Sequence, residues 1–140
     1  MFDPTDFLTV ARDLGASDRA ATTPARLRTA FGRAYYALFL LVREEISSRH
    51  HIHYRRLPHG AVYTHLQSPR AGQEVRELGR ELQRMYTLRQ NADYELAPNL
   101  VVKGQLEDVE LLGSLINRTR KLAAILHQLD FSPVVPLFRP

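Results

Sequence analysis

Residues Phe31 to Val42 read F-G-R-A-Y-Y-A-L-F-L-L-V, and the fold turns on how this stretch is read. It is apolar nearly all round, with Arg33 as its one charge. Leu27, Phe31, Ala34, Tyr35, Leu38 and Val42 recur at helical spacing, so the stretch is a helix. A helix that is apolar on every side is buried on every side. Either it is the centre of a bundle, or one of its faces meets a second copy of the chain. Gly32, Ala34 and Ala37 are small and allow close helix approach. Arg33 must be paired or aimed at an opening, because an unpaired buried charge is costly. Asp93 is its candidate partner.

Working outward, Thr23-Pro24 is an N-cap followed by proline in the first turn, and predicts that this second helix runs from there to about His50. Upstream, Asp3-Pro4 starts a short first helix with Phe7, Leu8, Ala11 and Leu14 as its apolar face, and Gly15 stops it. Downstream, S-R-H-H-I-H-Y-R-R-L-P-H-G reads as a linker, and Gly60 to Leu66 as a short helix. Ser68-Pro69 repeats the cap-plus-proline signal and opens a long helix to about Tyr94, broken by Ala97-Pro98-Asn99. A last helix spans Gln105 to Leu129, with Val109, Leu112, Ile116, Leu122, Ile125 and Leu126 inward. The tail F-S-P-V-V-P-L-F-R-P carries prolines at 133, 136 and 140 and cannot be an α-helix. It is apolar, so it docks on the bundle or on a partner. Strand-like alternation is short wherever it occurs, and no internal repeat stands out. The expectation is all-α: one helical bundle of four to five helices with an antiparallel up-down core over residues 1–130, then a Pro-rich tail over 131–140.

The chain has 140 residues, the size of one domain, and is 44% hydrophobic and 24% charged, ordinary for a soluble protein. No apolar run reaches the roughly 18 residues of a membrane span. The start, M-F-D-P-T-D-F, lacks the pattern of a signal peptide. Cysteine is absent, which excludes disulfides and thiolate sites and fits a cytoplasmic location. The formal charge is +4, and of 19 basic residues only Lys103 and Lys121 are lysine. Arginine holds phosphate and carboxylate bidentately. A GC-rich genome accounts for the same bias, and a net +4 permits nucleic-acid binding without demonstrating it.

The long helix raises a second question. Val75, Leu78, Leu82 and Met85 form its core stripe, and the next position on that stripe is Arg89, within L-R-Q-N-A-D-Y-E-L. Asp93 lies four residues on, on the same helix face, with Tyr94 beside it. Two accounts stand. In one, Arg89, Arg33 and Asp93 are a buried ion-pair network with tyrosine hydroxyls that fixes helix register. In the other, they line a polar pocket that binds an anion such as phosphate.

His50, His51 and His53 form H-H-x-H, but no carboxylate or thiolate stands at ligand spacing, and no metal site is expected. With Arg49, Arg55 and Arg56 the segment reads as a solvated basic loop; the alternative is that the same loop touches phosphates and Tyr54 stacks on a base. Glu74, Arg76, Glu77, Arg80, Glu81 and Arg84 alternate in sign along a solvated helix face. No Gly-rich phosphate loop or hydrolase triad is present, and no cofactor is called for.

R-A-Y-Y-A-L-F in the second helix, His59-Gly60 after the loop, and L-R-Q-N-A-D-Y near the end of a long helix, in that order, resemble the HEPN superfamily (higher eukaryotes and prokaryotes nucleotide-binding). The resemblance spans roughly residues 20 to 128 and is nearest to the small single-domain branch marked by R-A-Y-Y-A and R-x-x-A-D-Y. It implies a helical homodimer with a polar cleft at the interface and a role near RNA or nucleotides. Many members are RNA-cutting toxins of toxin–antitoxin or anti-phage systems, encoded beside a minimal nucleotidyltransferase that restrains them; others are substrate-binding partners of such enzymes. Carried over, Arg89, His59 and Asp93 are the candidate catalytic residues, and Arg33, Tyr36 and Tyr94 the candidate nucleotide- or RNA-binding residues, to which the basic loop adds Arg55 and Arg56. The ribonucleases of the family place histidine four to six residues after the arginine. Here those positions hold Asp93, Tyr94 and Glu95, and His59 is the best available proton donor. The rival reading is a non-catalytic adaptor whose apolar helix and tail bind another protein, with the Arg–Asp–Tyr cluster as internal cement.

Overall fold

The stretch Phe31–Val42 lies in the middle of helix α2 (Pro24–His50), which packs against α1 (Asp6–Leu14), α4 (Gln73–Tyr94) and α5 (Val109–Ile125). The computed structural model describes residues 3–15, 24–94 and 108–139; the side chains of 24 and 92–94 are outside that description. Helix α3 (His59–Leu66) completes the set by packing on α4. Among the described residues there is no strand, and the architecture is an all-α bundle. Of the two ways to bury an all-round apolar helix, the central position is realised. Phe31, Ala34, Tyr35, Ala37, Leu38, Phe39 and Val42 are all buried within the single chain. Within the stretch, Arg33 is exposed and Tyr36, Leu40 and Leu41 are half-buried, and this strip continues to Arg43 and Glu44.

Helix α1 starts as the sequence indicates. The Thr5 N–H donates to Asp3 Oδ1 at 2.9 Å, and this bond holds the Asp3 carboxyl below its usual range. Leu8 and Ala11 are buried, with Phe7 and Leu14 packed at the rim. At Gly15 a Cβ would overlap the Leu112 side chain, so α1 ends where it meets α5. Helix α2 ends where His51 enters the left-handed region at φ 55°. The following segment is not a free linker: Ile52 and Leu57 are buried, and Ser47 Oγ donates to the Ile52 carbonyl at 2.7 Å.

Two boundaries differ from expectation. Ser68-Pro69 opens a turn rather than the helix: Ser68 Oγ accepts the Arg70 N–H at 3.2 Å and its carbonyl accepts the Ala71 N–H at 2.9 Å. The serine satisfies its own turn, and the first α4 bond, Arg76 N–H to the Gly72 carbonyl, comes at 3.0 Å only after Gly72. Helix α5 begins at an Asp108 cap, whose side chain accepts the N–H groups of Glu110 and Leu111. Residues 105–107 lie outside the described residues. The inward face of α5 is Leu112, Leu115, Ile116 and Thr119, whereas Ile125, expected inward, is 36% exposed. The helix stops there and a 3-10 turn, Leu126–Gln128, rotates the next apolar side chain, Leu126, into the core instead. The charged face of α4 also does more than meet water: Glu81 pairs with Arg118 of α5 at 2.9 Å.

The tail docks on the bundle. Phe131 and Val134 are fully buried, Val135 and Phe138 nearly so. Arg49, at the end of α2, donates to the Leu129 carbonyl at 2.6 Å and to the His127 carbonyl, with its guanidinium 6.0 Å from the Phe131 ring. Phe138 meets the His65 ring edge-on at 4.9 Å. Prolines 133 and 136 leave only a 3-10 turn at Val135–Phe138. Among the described residues, no helix is long and apolar enough to cross a membrane.

Two stability measurements check this packing. A Cβ on Gly79 would lie 2.9 Å from Leu66 Cβ and 3.1 Å from the Tyr63 carbonyl, so Gly79→Ala must push α3 away from α4. Urea denaturation should show a loss of about 1–3 kcal/mol from overpacking, despite alanine's better helix propensity. Phe131→Ala should cost about 3–5 kcal/mol, the value for a core aromatic; a surface-like loss would mean the tail is not part of the core.

Candidate functional site

Arg89 continues the buried stripe of Val75, Leu78, Leu82 and Met85 and is directed at α2. Its Nη2 donates to the Tyr36 hydroxyl at 2.8 Å, and its guanidinium carbon stands 4.7 Å from the Tyr36 ring centre. A cation on a core stripe is tolerated here because the aromatic ring and its hydroxyl replace water around it.

His59, the first residue of α3, reaches the same place. Its Nδ1 is hydrogen-bonded to the Tyr35 hydroxyl. Its ring centre lies 4.1 Å from Phe39 and 5.4 Å from Tyr86, which is stacked on it. The R-A-Y-Y-A run explains the division of labour. Successive residues on a helix point about 100° apart, so Tyr35 is buried while its neighbour Tyr36 is half-buried. Tyr86 sits one turn before Arg89 on α4 and closes the cluster, within 5.5 Å of Tyr35 and 5.6 Å of Tyr63. Its hydroxyl accepts from Gln90 at 2.7 Å.

Among the described residues the electrostatics are one-sided. Burial, then the nearby charges of Arg89 and Arg43, lower the His59 pKa, so the imidazole is neutral near pH 7. Burial, with the neighbouring tyrosines, raises the Tyr35 pKa and keeps its hydroxyl protonated. When Tyr35 donates to Nδ1, His59 carries its own proton on Nε2. Among the described residues, the charges that act on His59 are both cations. Two arginines, a neutral imidazole and four tyrosines thus gather in one donor-rich cluster, which suits an anion and can offer it hydrogen bonds.

The expected site residues are thus partly gathered. Arg89, Tyr36 and His59 meet. Arg33 lies one turn before Tyr36 on the exposed strip, its guanidinium 5.3 Å from the Phe7 ring, and with Thr29, Gly32 and Tyr36 it lines a cleft of about 180 Å³. The opening, rather than a buried partner, is what accommodates its charge. Arg55 and Arg56 stand apart on the exposed turn Tyr54–Arg56. The side chains of Asp93 and Tyr94 lie outside the described residues, so the arginine-orienting role expected of Asp93 falls there too. Tyr35, Phe39, Arg43 and Tyr86 belong to the cluster and were not singled out from the sequence. Tyr86 was legible, since residues three apart share a helix face and it precedes Arg89 by three.

The chain matches no family model, no curated protein and no solved structure. The chemistry of this cluster therefore rests on its geometry.

The lowered His59 pKa makes a pH prediction. Histidine is ordinarily near 6.5, and a folded value below that means the unfolded chain takes the proton first as pH falls. Stability is complete above 6.5 and is lost as pH drops from there through the lower folded value. His50, lowered by burial and by Arg49 and Arg139, acts in the same direction. Asp3 and Asp130, lowered from 3.8, add to the loss only in more acid solution. The melting temperature should be flat above about pH 7 and fall toward about pH 5. His59→Gln should flatten part of that slope, with His50→Gln as the parallel control. An unchanged slope in His59→Gln would show that His59 is not held neutral.

Proposed function

We propose that this chain is a HEPN-type protein that binds RNA or a nucleotide through the Arg89–Tyr36–His59 cluster. Its setting is the toxin-like or substrate-binding side of a toxin–antitoxin or defence pair, with a minimal nucleotidyltransferase as the restraining partner. The observation that carries the reading is the meeting of three sequence motifs in one donor-rich place: R-A-Y-Y-A through Tyr35 and Tyr36, His59-Gly60 through His59, and the end of α4 through Arg89. Arg89 would hold a phosphate oxygen by charge-assisted hydrogen bonds, with Arg33 flanking. His59 would donate from Nε2 to the same anion, or exchange a proton with a ribose hydroxyl during RNA cleavage. In this reading two copies meet along the strip of α2 left half-buried in one chain, Tyr36, Leu40 and Leu41, which joins two clusters into one cleft.

The rival reading also has an observation in its favour, for the cluster as internal cement, although the apolar helix and tail it would offer to another protein are buried in this chain. Tyr35 is buried and His59 is packed among four aromatic rings, as in a cluster that holds helices together. Growth of cells expressing the chain alone, beside Arg89→Ala and His59→Ala, separates the two when each variant's melting temperature is also taken. The proposal expects growth arrest by the wild type and relief by both variants, with each still folded. A harmless wild type together with a loss of about 3–5 kcal/mol in Arg89→Ala would assign the cluster to structure. A harmless wild type with a stable Arg89→Ala would leave binding without cleavage, checked by nucleotide titration.

A further inference from the structure

We infer that the turn after α2 is a subsite where Tyr54 stacks an unpaired base and Arg55 and Arg56 hold the adjoining phosphates of a single-stranded RNA that continues into the Arg89–His59 cluster. This rests on the reading of that cluster as an RNA or nucleotide site.

The first observation is charge. From Ile46 to Gln73 the chain contains no aspartate or glutamate, yet it carries Arg49, Arg55, Arg56, Arg70 and five of the six histidines. Arg49 is occupied with Glu45 and the tail carbonyls. Arg55 and Arg56 are exposed, and among the described residues neither joins an ion pair. The nearest carboxylates in sequence are Glu45, already tied to Arg49, and Glu44, exposed on α2.

The second observation is a ladder of rings and one cation. From His59 it runs to Phe39 at 4.1 Å, and Arg43 stands 5.4 Å from Phe39 and 5.7 Å from Tyr54. The His53 ring lies 4.5 Å beyond Tyr54. The ladder therefore links the cluster to the surface without a break. Its outer end is at the surface: His53 and Tyr54 are both exposed, Tyr54 at 52%.

The third observation is rigidity. Ile52 and Leu57 anchor the turn on both sides, and His53 caps it by accepting the Arg55 N–H at 3.2 Å on Nδ1 and the Arg56 N–H at 2.9 Å on its carbonyl. An aromatic ring presented on a fixed turn beside two exposed arginines binds a base with little ordering cost. A duplex keeps its bases stacked inside and offers such a ring nothing, whereas a single strand offers a free face at every residue.

The test uses the full chain and a fluorescent ten-residue oligouridylate, titrated in its single-stranded form and paired with oligoadenylate. Wild type should prefer the single strand. Tyr54→Ala should weaken it by about tenfold or more, Tyr54→Phe should restore it, and both should leave AMP binding unchanged. Arg55→Gln with Arg56→Gln should lower the dependence of log affinity on log salt by about 0.7 for each phosphate contact removed. If Arg89→Ala abolishes binding while Tyr54→Ala binds as wild type does, the subsite is wrong and the cluster reading stands. Equal binding of paired and single strands also overturns the subsite, leaving plain charge attraction. If wild type binds neither oligouridylate nor AMP, the cluster reading fails and takes the subsite with it.

Discussion

The constraint that shapes this molecule is the burial of Phe31–Val42, the middle of α2, on most sides by a chain of only 140 residues. Such a helix cannot lie on a surface, so α1, α4 and α5 must surround it. Each does so with a narrow apolar stripe of its own. Small residues in α2, Ala30, Ala34 and Ala37, all without solvent exposure, let those helices come close. The tail and the turn after α2 then cover what remains through Phe131, Val134, Ile52 and Leu57.

The same constraint makes the polar cluster. A helix buried all round leaves only a thin strip open, and polar atoms beside that strip have little access to water. Arg89 meets this with the Tyr36 hydroxyl and ring, and His59 with the Tyr35 hydroxyl. The neutral state of His59 follows from the same burial, reinforced by two arginines. On the proposed reading, stability and anion affinity draw on one set of contacts, which is why variants of the cluster must be judged by folding and by binding together.

Much of the fold was legible because its signals are local. The 3.6-residue periodicity of α2 and α4 and the stop at Gly15 depend on nearby residues alone. Ser68-Pro69 misled because a serine can cap a turn as readily as a helix, and nothing in the dipeptide says which. Ile125 misled because a stripe extrapolated along a helix assumes the helix continues, and here it tightens into a 3-10 turn. The candidate site was half legible. Arg89 stood out by violating its stripe, and Tyr36 and His59 by resemblance. Phe39 and Arg43 could not be found that way, since only the packing of α2 against the turn and α3 makes their positions neighbours of His59.

The docked tail has a consequence for how the chain is made. Phe131, Val134 and Phe138 complete a core whose other walls are synthesised much earlier, and Arg49 waits at the end of α2 for carbonyls nearly eighty positions away. The hydrophobic face built by the earlier helices therefore stays unfinished until residues 131–138 are available to cover it, so the bundle closes through contacts of long sequence separation. Premature termination anywhere before Phe131 would release a chain with that face still open, a form that proteases and chaperones distinguish readily from the finished protein.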